Sequence, residues 1–123
     1  ISILGLTYKP ETSTLRRSAS LEIIDDLTKE RAKISCHDPK ADRDELESYS
    51  NFSFFEDIYD ALKGSKVLIL ITPWEEYKNI DFKRVKKLMK PRPLIIDTNN
   101  IWEGGKLKKL GFKYLDIGKG SKV

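Results

Sequence analysis

Lys9, Arg16 and Arg17 lie between an apolar opening segment and a helix that starts near Ser18. A helix N-terminus offers free N–H groups and a partial positive charge. A lysine and an arginine beside it make a seat for a phosphate or diphosphate. The same residues also fit a solvated basic loop closed by a serine cap, so spacing alone leaves both readings open. Gly5 stands alone before this loop, with no G-x-G-x-x-G fingerprint and no Walker lysine pattern.

Other side chains have chemistry to offer. Trp74 and Tyr77 could stack on a base or sugar, or cap the end of a sheet. Asp97 ends an apolar run, where a carboxylate can receive ligand hydroxyls or the N–H groups of its own loop. Cys36 and His37 are the lone cysteine and histidine. Neighbours in sequence are poorly placed to share one metal, so neither a structural zinc site nor a disulfide is expected. Cys36 reads as a buried inert thiol, and no motif ties His37 into a triad. No metal site is assigned.

These residues need elements to hold them. Residues 1–5 read as a buried strand and residues 6–17 as a loop. A helix capped by Ser18 or Ser20 follows to about Arg31, with Leu21, Ile24 and Leu27 on one face. Residues 33–37 form a second strand, ended by the turn residues Asp38 and Pro39. Residues 42–49 are acidic with a helical turn or two, and residues 52–54 suit a short edge strand. A helix spans residues 56–63 and stops at Gly64. Residues 66–71 form the clearest strand; its continuous apolar run requires both faces to be buried. Asp81 caps a helix running to Lys90. Residues 94–97 and 113–117 are further strands, and Gly104-Gly105 precede a helix over residues 106–110.

Strands alternating with helices predict a doubly wound, Rossmann-like three-layer α/β domain with a mainly parallel sheet. Residues 1–4, 66–71 and 94–96 are its expected central strands. Ligands in such sheets sit beyond the carboxyl ends of the strands, at the point where strand order reverses. Three loops leave those ends: residues 6–18, 72–77 and 98–105.

With 123 residues the chain is read as one domain, 1–123. Its 39% hydrophobic and 34% charged content suits a globular domain with a charged surface. The longest apolar run, residues 67–71, is far below the ~20 residues of a membrane helix. No signal peptide and no initial Met are present, so the chain reads as a piece of a longer protein. Its single cysteine fits reducing, cytoplasmic surroundings. The net charge of +4 hides an asymmetry: residues 1–61 carry −5 and residues 62–123 carry +9. The basic half includes Lys83, Arg84, Lys86, Lys87 and Lys90 on one helix, which fits a solvated face or a weaker nucleic-acid surface.

The stretch Gly5-Leu6-Thr7-Tyr8-Lys9-Pro10-Glu11-Thr12-Ser13-Thr14-Leu15-Arg16-Arg17-Ser18-Ala19-Ser20-Leu21-Glu22-Ile23-Ile24 resembles a block of the UDP-glucose/GDP-mannose dehydrogenase family. That block commonly reads G-L-A-F-K-x-x-T-x-D-x-R-x-S-P-S-L-x-I-I. In the same order, His37-Asp38-Pro39 resembles a Y-D-P turn. Thr72-Pro73-Trp74-Glu75-Glu76-Tyr77 resembles T-x-W-x-E-F, and Asp97-Thr98-Asn99-Asn100 resembles D-x-R-N. Gly111-Phe112-Lys113-Tyr114 with Ile117-Gly118 resembles the family's closing G-F-x-Y-x-x-I-G.

The resemblance implies the C-terminal, nucleotide-sugar-binding domain of an enzyme that oxidises a sugar C6 hydroxyl to a carboxylate in two NAD-dependent steps. It implies upstream NAD-binding and central helical domains, the latter carrying the catalytic cysteine and mediating a homodimer. No catalytic residue is therefore expected in this chain, and Cys36 does not take that role. By position Lys9, with Tyr8 and Asn99, would contact a UDP-sugar, and Arg16 would reach toward NAD. Asn99 departs from the family's usual arginine, which removes a charge. Arg17, Thr14 and Ala19 also depart, from an acidic residue, an aspartate and a proline. A freestanding nucleotide-binding module without catalysis, and a basic nucleic-acid-binding domain, are the competing readings.

Overall fold

Short apolar strands separated by helices must find their partners far away in sequence. In the computed structural model, which describes residues 1–6, 19–41, 43–46 and 51–116, they meet in one six-stranded sheet. The order along the chain is β1 (Ser2–Leu4), α1 (Ala19–Lys29), β2 (Ser35–His37), α2 (Arg43–Leu46), β3 (Ser53–Phe54) and α3 (Ile58–Leu62). Then come β4 (Val67–Leu70), a 3-10 helix (Glu75–Asn79), α4 (Phe82–Leu88), β5 (Leu94–Asp97), α5 (Gly104–Lys109) and β6 (Lys113–Asp116).

The strands lie in the order β3-β2-β1-β4-β5-β6, and every pairing is parallel. Strand order therefore reverses between β1 and β4. Ile3 sits level with Cys36 on one side and Ile69 on the other, and Leu70 sits level with Asp97. Alternation along the strands sends Ile3, Cys36 and Ile69 to one face, packed with Ile24 of α1. Leu4, Leu68, Leu70 and Ile95 face the other side, against Leu62 of α3, Val85 of α4 and Leu107 of α5. Each such side chain contributes roughly 1.5–3 kcal/mol when fully buried. Helices on both faces explain why β4 is apolar throughout, and the layered, Rossmann-like α/β fold is the one expected.

Local signals place most elements. Asp57 and Asp81 accept from the first N–H groups of α3 and α4, which ends the search for a start. Gly64 follows α3 with φ of 78° and donates to Leu88 O at 2.8 Å. The expected edge strand is β3, and β1 and β4 occupy the centre, with β5 interior beside β6.

Three expectations need correction. Ser20 lies inside α1 and is no cap, whereas Ser18 lies outside the described residues. Gly104 and Gly105 belong to α5 instead of preceding it. A Cβ at Gly104 would meet the Tyr114 ring at 2.7 Å, so the glycine permits close packing of the helix on β6. The segment after β4 is not a plain loop. It winds into the 3-10 helix because Trp74 and Tyr77 turn inward, to 4% and 0% exposure.

Candidate functional site

The carboxyl ends of β1 and β4 flank the reversal of strand order, and their loops touch. Gly5 has φ of 95°, and a Cβ there would meet Thr72 N and Cβ at 2.5 Å. Only glycine allows the two segments this approach. Gly5 N also donates to His37 O at 2.8 Å, drawing in the end of β2.

Asp38 ties the same three loops together. It is 4% exposed, and its Oδ2 accepts from Leu6 N at 2.8 Å and from Trp74 Nε1 at 3.1 Å. Its Oδ1 accepts from Lys40 N at 2.9 Å, closing the turn through Pro39. In sequence Asp38 signals a turn alone, because the adjacent Pro39 points to the turn and not to the distant partners.

Asp97 plays a matching part after β5. It is fully buried and accepts from Asn99 N, Trp102 N and the Tyr114 hydroxyl at 3.0, 3.0 and 2.9 Å. Its oxygens bind the N–H groups of its own loop and a hydroxyl of β6. Burial, and then the bond to Asp97, push the Tyr114 hydroxyl well above its ordinary range.

Trp74 and Tyr77 cap the sheet, and neither ring is open for stacking. The Tyr77 hydroxyl lies 2.9 Å from His37 Nδ1 and 3.1 Å from His37 O, and Tyr77 O accepts from Trp102 Nε1 at 2.7 Å. Burial holds His37 below its ordinary value, against the opposing pull of Asp38 and Asp57. The Cys36 thiol is fully buried and its ionisation is pushed far up by that burial, as suits an inert core residue. Among the described residues no group of three or more His, Cys, Asp or Glu could hold a metal.

Asn99 stands exposed at the rim. Its Nδ2 donates to Ile71 O at 2.9 Å and to Thr98 Oγ1 at 2.9 Å, so it leans from β5 across the end of β4. Tyr8, Lys9, Arg16 and Arg17 lie outside the described residues. Leu6, from which their segment departs, is anchored at the reversal point by Asp38.

A cavity of about 610 Å³ lies elsewhere, between the starts of α4 and α5, lined by Phe82, Trp102 and Leu107 with Lys83 and Lys106. None of Gly5, Leu6, Thr72 or Asn99 borders it, so its size does not make it the site. On α4, Arg84 stacks over the Tyr59 ring at 4.0 Å from its centre. No helix among the described residues is long and apolar enough to cross a membrane.

Comparison with known proteins agrees with this fold. The profile of the UDP-glucose/GDP-mannose dehydrogenase family, UDP binding domain, matches residues 2–104. A UDP-glucose 6-dehydrogenase of Rhizobium meliloti (strain 1021) is 33% identical over 97% of this chain and 27% of its own length. A UDP-glucose 6-dehydrogenase of Rickettsia prowazekii (strain Madrid E) is 34% identical over 96% of this chain, again 27% of its own length. The chain thus spans about a quarter of the curated relatives it matches. Among solved structures, an NDP-N-acetyl-D-galactosaminuronic acid dehydrogenase from Methanosarcina mazei Go1 superposes with a TM-score of 0.83 at 22% identity. It covers 94% of this chain and 24% of its own, and supports the fold. The chain belongs to the UDP-glucose/GDP-mannose dehydrogenase family and corresponds to its UDP binding domain.

Proposed function

We propose that residues 1–123 form the nucleotide-sugar-binding, C-terminal domain of an NAD-dependent dehydrogenase that oxidises the C6 hydroxyl of a UDP-sugar to a carboxylate. The observation that carries this is the family match over residues 2–104, whose opening block departs from the reversal point between β1 and β4. That is where open parallel sheets receive ligands. In this reading Lys9, a mobile point charge, meets the diphosphate, with Tyr8 and Asn99 beside the same ligand. Arg16 reaches toward the cofactor.

The sequence carries no dinucleotide fingerprint at the end of β1. Gly5 is the lone glycine at the end of β1, and its conformation serves contact with Thr72. NAD, which accepts the hydride, belongs mainly to upstream domains of the same chain, as does the catalytic cysteine. A homodimer, a cytoplasmic setting and a place in polysaccharide biosynthesis complete the proposal.

Calorimetry on the full-length protein tests it with UDP, GDP and single-stranded DNA. UDP binds, and Lys9→Ala weakens it by roughly tenfold or more, the weight of a charge-assisted hydrogen bond. Equal UDP affinity in both proteins removes Lys9 from the site. Tighter, steeply salt-dependent DNA binding favours the nucleic-acid reading instead.

A further inference from the structure

We infer that Asn99 faces the ligand as a hydrogen-bond acceptor only, so that it reads an O–H or N–H of the nucleotide sugar and not its phosphates. This deepens the UDP-sugar reading above and rests on it.

The polarity of the amide follows from its partners. Ile71 O is a carbonyl and can only accept, so the group 2.9 Å from it is the nitrogen of Asn99. The Thr98 hydroxyl spends its single proton on Leu70 O at 2.6 Å. It therefore accepts from Asn99 Nδ2 at 2.9 Å. Both amide hydrogens are then used within the protein. What remains is Oδ1, with two lone pairs and no donor bonded to it among the described residues. The backbone is pinned as well, since Asn99 N donates to Asp97 Oδ1 at 3.0 Å. An exposed carbonyl oxygen held at the end of β4 is thus preformed, and its presentation costs little ordering on binding.

Such an oxygen repels phosphate oxygens. Its complement is a neutral donor: a ribose or hexose hydroxyl, or the N–H of a base. An arginine at the same position would offer donors alone, which suits phosphate. The change from arginine to Asn99 therefore reverses the polarity of this rim position as well as removing its charge.

The test compares wild-type, Asn99→Ala and Asn99→Arg full-length proteins. Each competes uridine, inorganic pyrophosphate or UDP-glucose against labelled UDP. Asn99→Ala is expected to weaken UDP-glucose by about 2- to 10-fold, the range of one neutral hydrogen bond, and to leave pyrophosphate unchanged. Asn99→Arg is expected to tighten pyrophosphate. Parallel runs with 2′-deoxyuridine and N3-methyluridine locate the donor, because the loss on Asn99→Ala disappears for the analogue that lacks it. A loss confined to UDP-glucose assigns the donor to the hexose. The inference is overturned if Asn99→Ala weakens pyrophosphate as much as UDP-glucose, or changes neither. Circular dichroism checks the fold, which an exposed position should leave intact. Failure of wild-type protein to bind UDP at all is a separate result: it removes the UDP-sugar reading, and this inference with it.

Discussion

The indole N–H of Trp74 donates to Asp38 Oδ2 across 3.1 Å, joining the end of β2 to the loop after β4. The same oxygen accepts from Leu6 N at 2.8 Å, so one buried carboxylate ties together the segments that leave β1 and β4. The other oxygen, Oδ1, accepts from Lys40 N at 2.9 Å.

Removing that acceptor should be costly. In Asp38→Ala the donors of Leu6 and Trp74 stay buried without it, at about 1–3 kcal/mol apiece. Trp74→Phe keeps most of the ring and leaves Asp38 its backbone donors, so it should lose nearer 1 kcal/mol. Urea denaturation of both variants checks the ranking. A loss below about 0.5 kcal/mol in Asp38→Ala, the scale of an ordinary surface change, would mean the carboxylate is not the tie described.

Gly5 and Gly64 make a matched pair. Both have positive φ, 95° and 78°. A Cβ at Gly64 meets open space, whereas one at Gly5 meets Thr72 N at 2.5 Å. Gly64→Ala should therefore cost only the left-handed backbone penalty, roughly 1–2 kcal/mol. Gly5→Ala should cost more, because the backbone of Thr72 must also move, and it should weaken UDP binding by displacing the segments that leave β1 and β4. Equal melting temperatures for the two variants would contradict the close approach.

His37 gives a pH signature. Burial lowers its folded-state value, while Asp38, Asp57 and the backbone of Glu56 pull the other way and the Tyr77 hydroxyl lies against Nδ1. Below about 6.5 the unfolded chain takes up a proton that the native one resists. The unfolded state then binds more protons, so stability falls as pH drops from about 6.5 through the folded value. The slope cannot exceed about 1.4 kcal/mol per pH unit for this single group. Denaturation between pH 7 and 5 should show that slope, and His37→Gln should flatten it. A profile identical to wild type would assign the slope to other groups.

Local chemistry made much of this fold readable. The unbroken run in β4 required a sheet covered on both faces, and Asp81 announced α4 with the bonds a cap makes, to Lys83 N at 3.1 Å and Arg84 N at 3.3 Å. Tertiary contacts hid the rest. Gly104 looks like a helix breaker until the Tyr114 ring is placed 2.7 Å from its absent Cβ. The Asp38–Trp74 bond spans 36 residues, beyond any local pattern. For Asn99, a place beside the ligand is what the resemblance alone implies. The direction of its amide is not legible in sequence, because it depends on which atoms Thr98 and Ile71 present to it.

Asp97 offers the last test, since it shapes the loop that carries Asn99. Its Oδ1 holds Asn99 N, while its Oδ2 holds Trp102 N and the Tyr114 hydroxyl. Tyr114→Phe removes one of these bonds and leaves Asp97 two backbone donors, so it should cost about 1 kcal/mol. Asp97→Ala strands the buried Trp102 N–H and frees Asn99 N, and should cost about 2–4 kcal/mol, in the range for loss of a buried network. In the double variant the Tyr114 bond has already gone, so its penalty should not be paid twice. The two single losses should therefore exceed the double loss by about 0.5–1 kcal/mol, the sign of coupling between contacting residues. UDP binding should separate them further: Tyr114→Phe leaves the Asn99 turn in place and keeps affinity, whereas Asp97→Ala releases that turn and lowers it. Strict additivity, or equal binding losses, would show that Asp97 does not link β6 to the rim.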